Sequence, residues 1–113
     1  MLNKEQILTA NDFKIVKVYV PQWKGDVHLK TMSAYERDAF EAEIIEQGKV
    51  KYENIRARLL VRCICDEQGN LLFSSTDSDA LGKKNAGAVQ LLFNEAKKMS
   101  ELSDEDVEQL RKN

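Results

Sequence analysis

The spacing of apolar and polar residues changes period several times along this chain, and each change predicts an element. From Lys14 the order Lys-Ile-Val-Lys-Val-Tyr-Val sets Ile15, Lys17 and Tyr19 on one face and Val16, Val18 and Val20 on the other. That two-residue period, rich in β-branched side chains, predicts a half-buried strand. Pro21 ends it, Gln22-Trp23-Lys24-Gly25 supplies a turn, and Asp26 to Lys30 returns. The pair reads as an antiparallel hairpin over about 14–30. Before it, Asn3 with Gln6 three residues on marks a short capped helix, with Leu2 placed to staple onto Ile7.

Beyond the hairpin the period turns helical. Ser33 and Glu36 form a capping box that opens a helix over 34–46, broken by Gly48. Its wheel carries two apolar stripes: Tyr35, Ala39 and Ala42 on one side, and Phe40 and Ile44 roughly 140–180° around from Tyr35. Such a helix is either sandwiched inside the domain or keeps one stripe for a partner. The stretch Tyr52–Cys65 fits two periods, a wide helical arc and a strand alternation of Leu59, Val61, Cys63 and Cys65. Good helix formers such as Ala57, Arg56 and Arg58 favour a helix over 52–64. Asp66-Glu67-Gln68-Gly69-Asn70 is a turn, followed by extended, apolar Leu71-Leu72-Phe73. Thr76 and Asp79 suit the cap of a short helix over 77–81 that stops at Gly82. Asn85 caps a helix over 86–99 with the stripe Val89, Leu92, Phe93, Ala96 and Met99. Leu102-Ser103, with three acidic residues following, predicts a last helix over 104–111. The resulting class is α+β: a mostly helical small domain, spanning 1–113, with an N-terminal antiparallel β-hairpin.

Composition narrows the picture. The 113 residues match one domain, and a 42% hydrophobic share is enough for a packed core. Seventeen basic against nineteen acidic residues give a net charge of −2, which supplies no general grip on phosphates. No apolar run approaches the roughly 20 residues that span a bilayer. The first ten residues lack the apolar stretch of a secretory signal. Cys63 and Cys65, one residue apart, match neither a redox nor a zinc spacing, and fit a reducing compartment.

Several chemical motifs are approached and missed. Gly82-Lys83-Lys84-Asn85-Ala86-Gly87 has phosphate-loop spacing, but Ala88 and Val89 stand where the lysine and hydroxyl are needed. Asp77 and Asp79 begin like a calcium loop, yet Leu81 and Ala88 occupy ligand positions. His28 is the sole histidine, with no nucleophile signature beside it. Cys63 and Cys65 read as buried apolar thiols without the second pair a metal requires. No catalytic, cofactor or metal residues are therefore assigned, and the chain is not expected to be an enzyme. Asp79 to Lys98 has the outline of a helix-turn-helix, which keeps a small DNA-binding regulator as an alternative reading, beside a generic protein-interaction module.

Taken in order, these segments resemble the tail assembly chaperones of long-tailed (siphophage-type) bacteriophages. The likeness runs from Ile7–Val20 with Pro21-Gln22-Trp23-Lys24-Gly25, through Ser33–Glu41, Asn54–Leu60 and Asp66–Phe73, to Ala80–Lys84 and on to Ser103. The resemblance implies a non-enzymatic assembly factor of the short form, acting in the cytoplasm of the bacterial host and absent from the mature virion. It implies binding to the tape measure protein, assistance to tail tube protein assembly, and self-association, with no nucleic acid or membrane partner. Within that reading Phe40 and Ile44 form the expected contact stripe, and Trp23 at the hairpin tip a second anchor, since tryptophan is enriched at interface hot spots.

Overall fold

A computed structural model describes residues 1–100; the helix expected over 104–111, with its cap at Leu102-Ser103, lies outside the described residues. The chain opens on α1 (Lys4–Thr9), where Asn3 Oδ1 accepts from the Gln6 N–H and Gln6 Oε1 accepts from the Asn3 N–H, both at 2.9 Å. No residue of α1 is buried, and both Leu2 and Ile7 are exposed. The hairpin follows as β1 (Ile15–Val20) and β2 (Gly25–Lys30), paired antiparallel from Ile15 opposite Lys30 to Val20 opposite Gly25. Alternation sends Val16, Val18 and Val20 toward the core and leaves Ile15, Lys17 and Tyr19 on the solvent side. The molecule is α+β, as the pattern predicts.

α2 (Ala34–Ile44) starts at the foreseen capping box: Ser33 Oγ accepts from the Glu36 N–H at 3.1 Å and Glu36 Oε1 from the Ser33 N–H at 3.0 Å. The helix stops at Ile44 rather than Glu46. Gln47 and Gly48 both take positive φ, 52° and 76°, which makes a two-residue hairpin turn. It draws Ile45–Glu46 out of the helix as β3, paired with β4 (Lys49–Val50).

The 52–64 helix requires a larger correction. α3 occupies only Ile55–Leu60, entered through Asn54 in the left-handed region at φ 53°. Beyond Leu60 the chain turns, and Ile64–Cys65 becomes β5, set against Leu29 and His28 of β2. The free edge of β2 overrides helix propensity: the Lys30 N–H donates to the Cys63 carbonyl at 2.9 Å. The sheet order is therefore β1-β2-β5. A 3-10 turn at Ser75–Asp77 leads into α4 (Ser78–Gly82). The 3-10 turn carries a capping box of Ser74 with Asp77, and α4 itself starts after Asp77 with no side-chain cap, in place of the Thr76 and Asp79 expected. α5 (Ala86–Met99) is capped by Asn85, whose Oδ1 accepts from the Ala88 N–H at 3.1 Å. Ala88, Val89, Leu92 and Ala96 of α5 meet Val20, Leu29, Leu59 and Leu60 in one apolar core.

Candidate functional site

Phe40 and Ile44 belong to that core. They are 1% and 0% exposed, so the expectation that this stripe is kept for a partner does not hold in this conformation. The other stripe faces solvent, with Tyr35 84% exposed. The inward orientation is fixed by charge as well as by packing. Glu43, one residue before Ile44, accepts from Arg58 Nη1 at 2.8 Å and from Arg62 Nη2 at 2.7 Å, tying α2 to α3 and the turn after it. A bridging carboxylate between two half-buried guanidiniums sets the helix rotation by geometry.

Trp23 has a different setting. The 3-10 turn Pro21–Trp23 ends on Lys24 in the left-handed region, whose N–H returns to the Pro21 carbonyl at 3.2 Å. Trp23, at the hairpin tip, is half-buried against the core. There it lines a cleft of about 350 Å³ together with Val27, Ile64, Leu72, Phe73 and Leu81. Asp66 and Glu67 of the 66–70 turn line it as well. Asp66 Oδ1 accepts from the N–H groups of Gln68 and Asn70, each at 2.9 Å, and the Asp66 N–H donates to the Asn70 carbonyl at 2.9 Å. The hydrogen bonds that the carboxylate accepts hold Asp66 below the usual carboxylate range, the Asn70 N–H contributing most. The turn directs Leu71 back to Cys65 and lets the Leu72 N–H donate to the Ile64 carbonyl at 3.1 Å, so the 59% exposed Leu72 stands at the mouth. Asp26, Asp66 and Glu67 supply the polar rim, and His28 sits between Lys17 and Cys65 on the adjoining strands. The sequence offered Trp23 alone; Asp26, Glu67 and Leu72 join it only through the β2–β5 register.

A second, more polar cleft of about 550 Å³ lies where the phosphate-loop spacing is found, lined by Asn54, Arg56, Gly82, Lys84 and Gly87 among others. Its glycines have packing reasons. A Cβ on Gly82 would collide with the side-chain amide of Asn54, whose Nδ2 donates to the Ser78 carbonyl at 2.9 Å. Arg56 is engaged by Gln90 of α5. α5, the recognition helix of the regulator alternative, packs along α3 and β1 through its apolar stripe.

The remaining chemical groups are quiet. Burial pushes the Cys63 thiol up to about 12, which keeps it protonated and unreactive, and raises Cys65 in the same direction. Among the described residues no three His, Cys, Asp or Glu side chains converge on a metal position, and no helix is long and apolar enough to cross a membrane. Apolar surface is what stands out: Leu2, Ile7, Leu8, Phe13, Ile15 and Tyr19 are all exposed around α1 and β1.

Comparison with known proteins gives these surfaces a context. No curated protein sequence matches the chain. Among solved structures it is similar to the tail assembly chaperone of bacteriophage HK97, with a TM-score of 0.62 at 19% identity, covering 88% of this chain and 95% of that one. At that identity the likeness establishes the shared fold. The family model of phage tail assembly chaperones matches residues 3–113, nearly the whole sequence. The chain belongs to the phage tail assembly chaperone family, whose role is non-catalytic.

Proposed function

We propose that the protein binds the tape measure protein of its phage, keeps the apolar surface of that protein from aggregating, and assists assembly of the tail tube around it. The family match across residues 3–113 is the observation that carries this reading. The surface is consistent with it in kind: apolar side chains lie open around α1, along the outer face of β1 and at the Trp23 cleft. Contiguous exposed apolar surface on a small domain marks a site of protein contact. The work is done in the cytoplasm of the bacterial host, and the protein is absent from the finished virion. Self-association belongs to the same reading, because many weak contacts along an extended client gain from avidity. Among the described residues β1 is the sheet edge, and its alternation turns the main-chain groups of Ile15, Lys17 and Tyr19 away from β2, on the side where another strand would pair.

Co-expression tests the proposal. The tape measure protein of the same phage is expected to move from the insoluble to the soluble fraction when this chain is supplied, and to co-purify with it. A tape measure protein that remains insoluble, or is soluble without this chain and passes it by, contradicts the reading.

A further inference from the structure

We propose that the cleft between β2 and the 66–73 segment receives an apolar side chain from a client helix that carries lysine or arginine on either side of it. This deepens the reading above, resting on it for the nature of the client as a protein. The cleft floor is apolar, formed by Ile64, Phe73 and Leu81, with Trp23 and Leu72 as walls. Its volume of about 350 Å³ suits one or two side chains.

The rim decides which side chains may accompany them. Asp26, Asp66 and Glu67 all line the cleft, and among the described residues no lysine or arginine does. The whole chain is nearly balanced, 17 basic against 19 acidic residues, so three carboxylates around one apolar floor are a local concentration. Asp66 stays ionised because its own turn hydrogen-bonds it. Asp26 and Glu67 are exposed at the mouth, where a client cation can reach them. Opposite charge at a rim sets specificity and encounter rate, while the apolar floor provides the anchor.

Strand addition is the competing mode, and the register argues against it. β5 covers β2 only at Leu29 and His28, with the Lys30 N–H satisfied by Cys63. Alternation leaves Asp26 as the one remaining residue of β2 whose main chain faces that side, too little to hold an extended peptide. Recognition therefore falls to side chains.

Trp23 is the only tryptophan, so its fluorescence reports on the cleft directly. The probes are three synthetic 18-residue helical peptides: a leucine stripe flanked by lysines, the same stripe flanked by glutamates, and the lysine peptide with serine replacing leucine. The lysine–leucine peptide is expected to shift Trp23 emission saturably, at least tenfold more tightly than either of the others. The D26K/E67K variant, changed only at exposed positions, is expected to reverse the preference toward the glutamate–leucine peptide. L72S weakens the lysine–leucine peptide about tenfold. Equal affinity for the lysine and glutamate peptides, undiminished binding of the serine peptide, or an unchanged preference in D26K/E67K overturns the inference. The two levels separate cleanly. If D26K/E67K still solubilises the tape measure protein at wild-type level, the cleft assignment falls and the proposed function stands. If wild-type protein discriminates among the peptides yet leaves the tape measure protein insoluble, the proposed function falls and the cleft assignment stands.

Discussion

Two apolar clusters of this protein have similar residue types and opposite fates. On α2, Phe40 and Ile44 close against the core, held at that rotation by Glu43 between Arg58 and Arg62. At the Trp23 cleft, Leu72 and Phe73 stand against an apolar floor that no element among the described residues covers, with carboxylates around it. Helical period reports that a side chain seeks burial; it does not report whether its own chain supplies the cover. Phe40 is covered by a core to which α3 and α5 also contribute, whereas the cleft keeps Leu72 59% exposed beside the two-residue β5.

That contrast can be broken first at its strongest point. Phe40→Ala is expected to cost about 3–5 kcal/mol and Ile44→Ala about 2–5 kcal/mol in urea unfolding, as buried large-to-small changes do. Losses below about 1 kcal/mol would mean that these residues are not core. Glu43→Ala comes next. It leaves two half-buried guanidiniums without their acceptor, and about 2 kcal/mol of destabilisation is expected, discounted from the fully buried case by solvent screening. Leu72→Ser, at a largely exposed wall, is expected to change stability by no more than about 0.5 kcal/mol while weakening binding of the lysine–leucine peptide about tenfold. Equal thermal loss at Leu72 and Phe40 would erase the distinction.

Titration sharpens the same comparison. Asp66 has a folded-state pKa below its unfolded value, so its contribution is present above the unfolded carboxylate range and fades as pH falls through the lower folded value. Asp66→Asn is expected to weaken the turn at neutral pH and to flatten the acid limb of the stability curve, read by urea unfolding at stepped pH. Cys63 titrates in the opposite sense. Its folded-state pKa of about 12 lies above the ordinary thiol value, so stability is full below about 9 and declines between 9 and 12. At pH 8 Cys63 is expected to react with a thiol reagent only after denaturant is added; prompt reaction in the native protein would contradict its burial.

The sequence was legible where the determinants are local. The boxes at Asn3–Gln6 and Ser33–Glu36, the cap at Asn85 and the hairpin each depend on residues within a few positions of one another. Legibility failed where distant partners decide. Cys63 leaves the helical path because Lys30, more than thirty positions earlier in the chain, has an open N–H to satisfy. Ile45 leaves it because Gln47 adopts a positive φ alongside Gly48, which a glycine alone does not announce. Of the cleft, Trp23 was readable as an anchor, whereas Asp26, Glu67 and Leu72 carry no shared motif and meet only through strand register.

The most direct measurement is solubility of the tape measure protein co-expressed with this chain, wild type beside Leu72→Ser. The account predicts a soluble complex with the wild-type protein and a diminished one with the variant, both chaperones being equally folded by circular dichroism. A tape measure protein that stays in the pellet with the wild-type chain would contradict it.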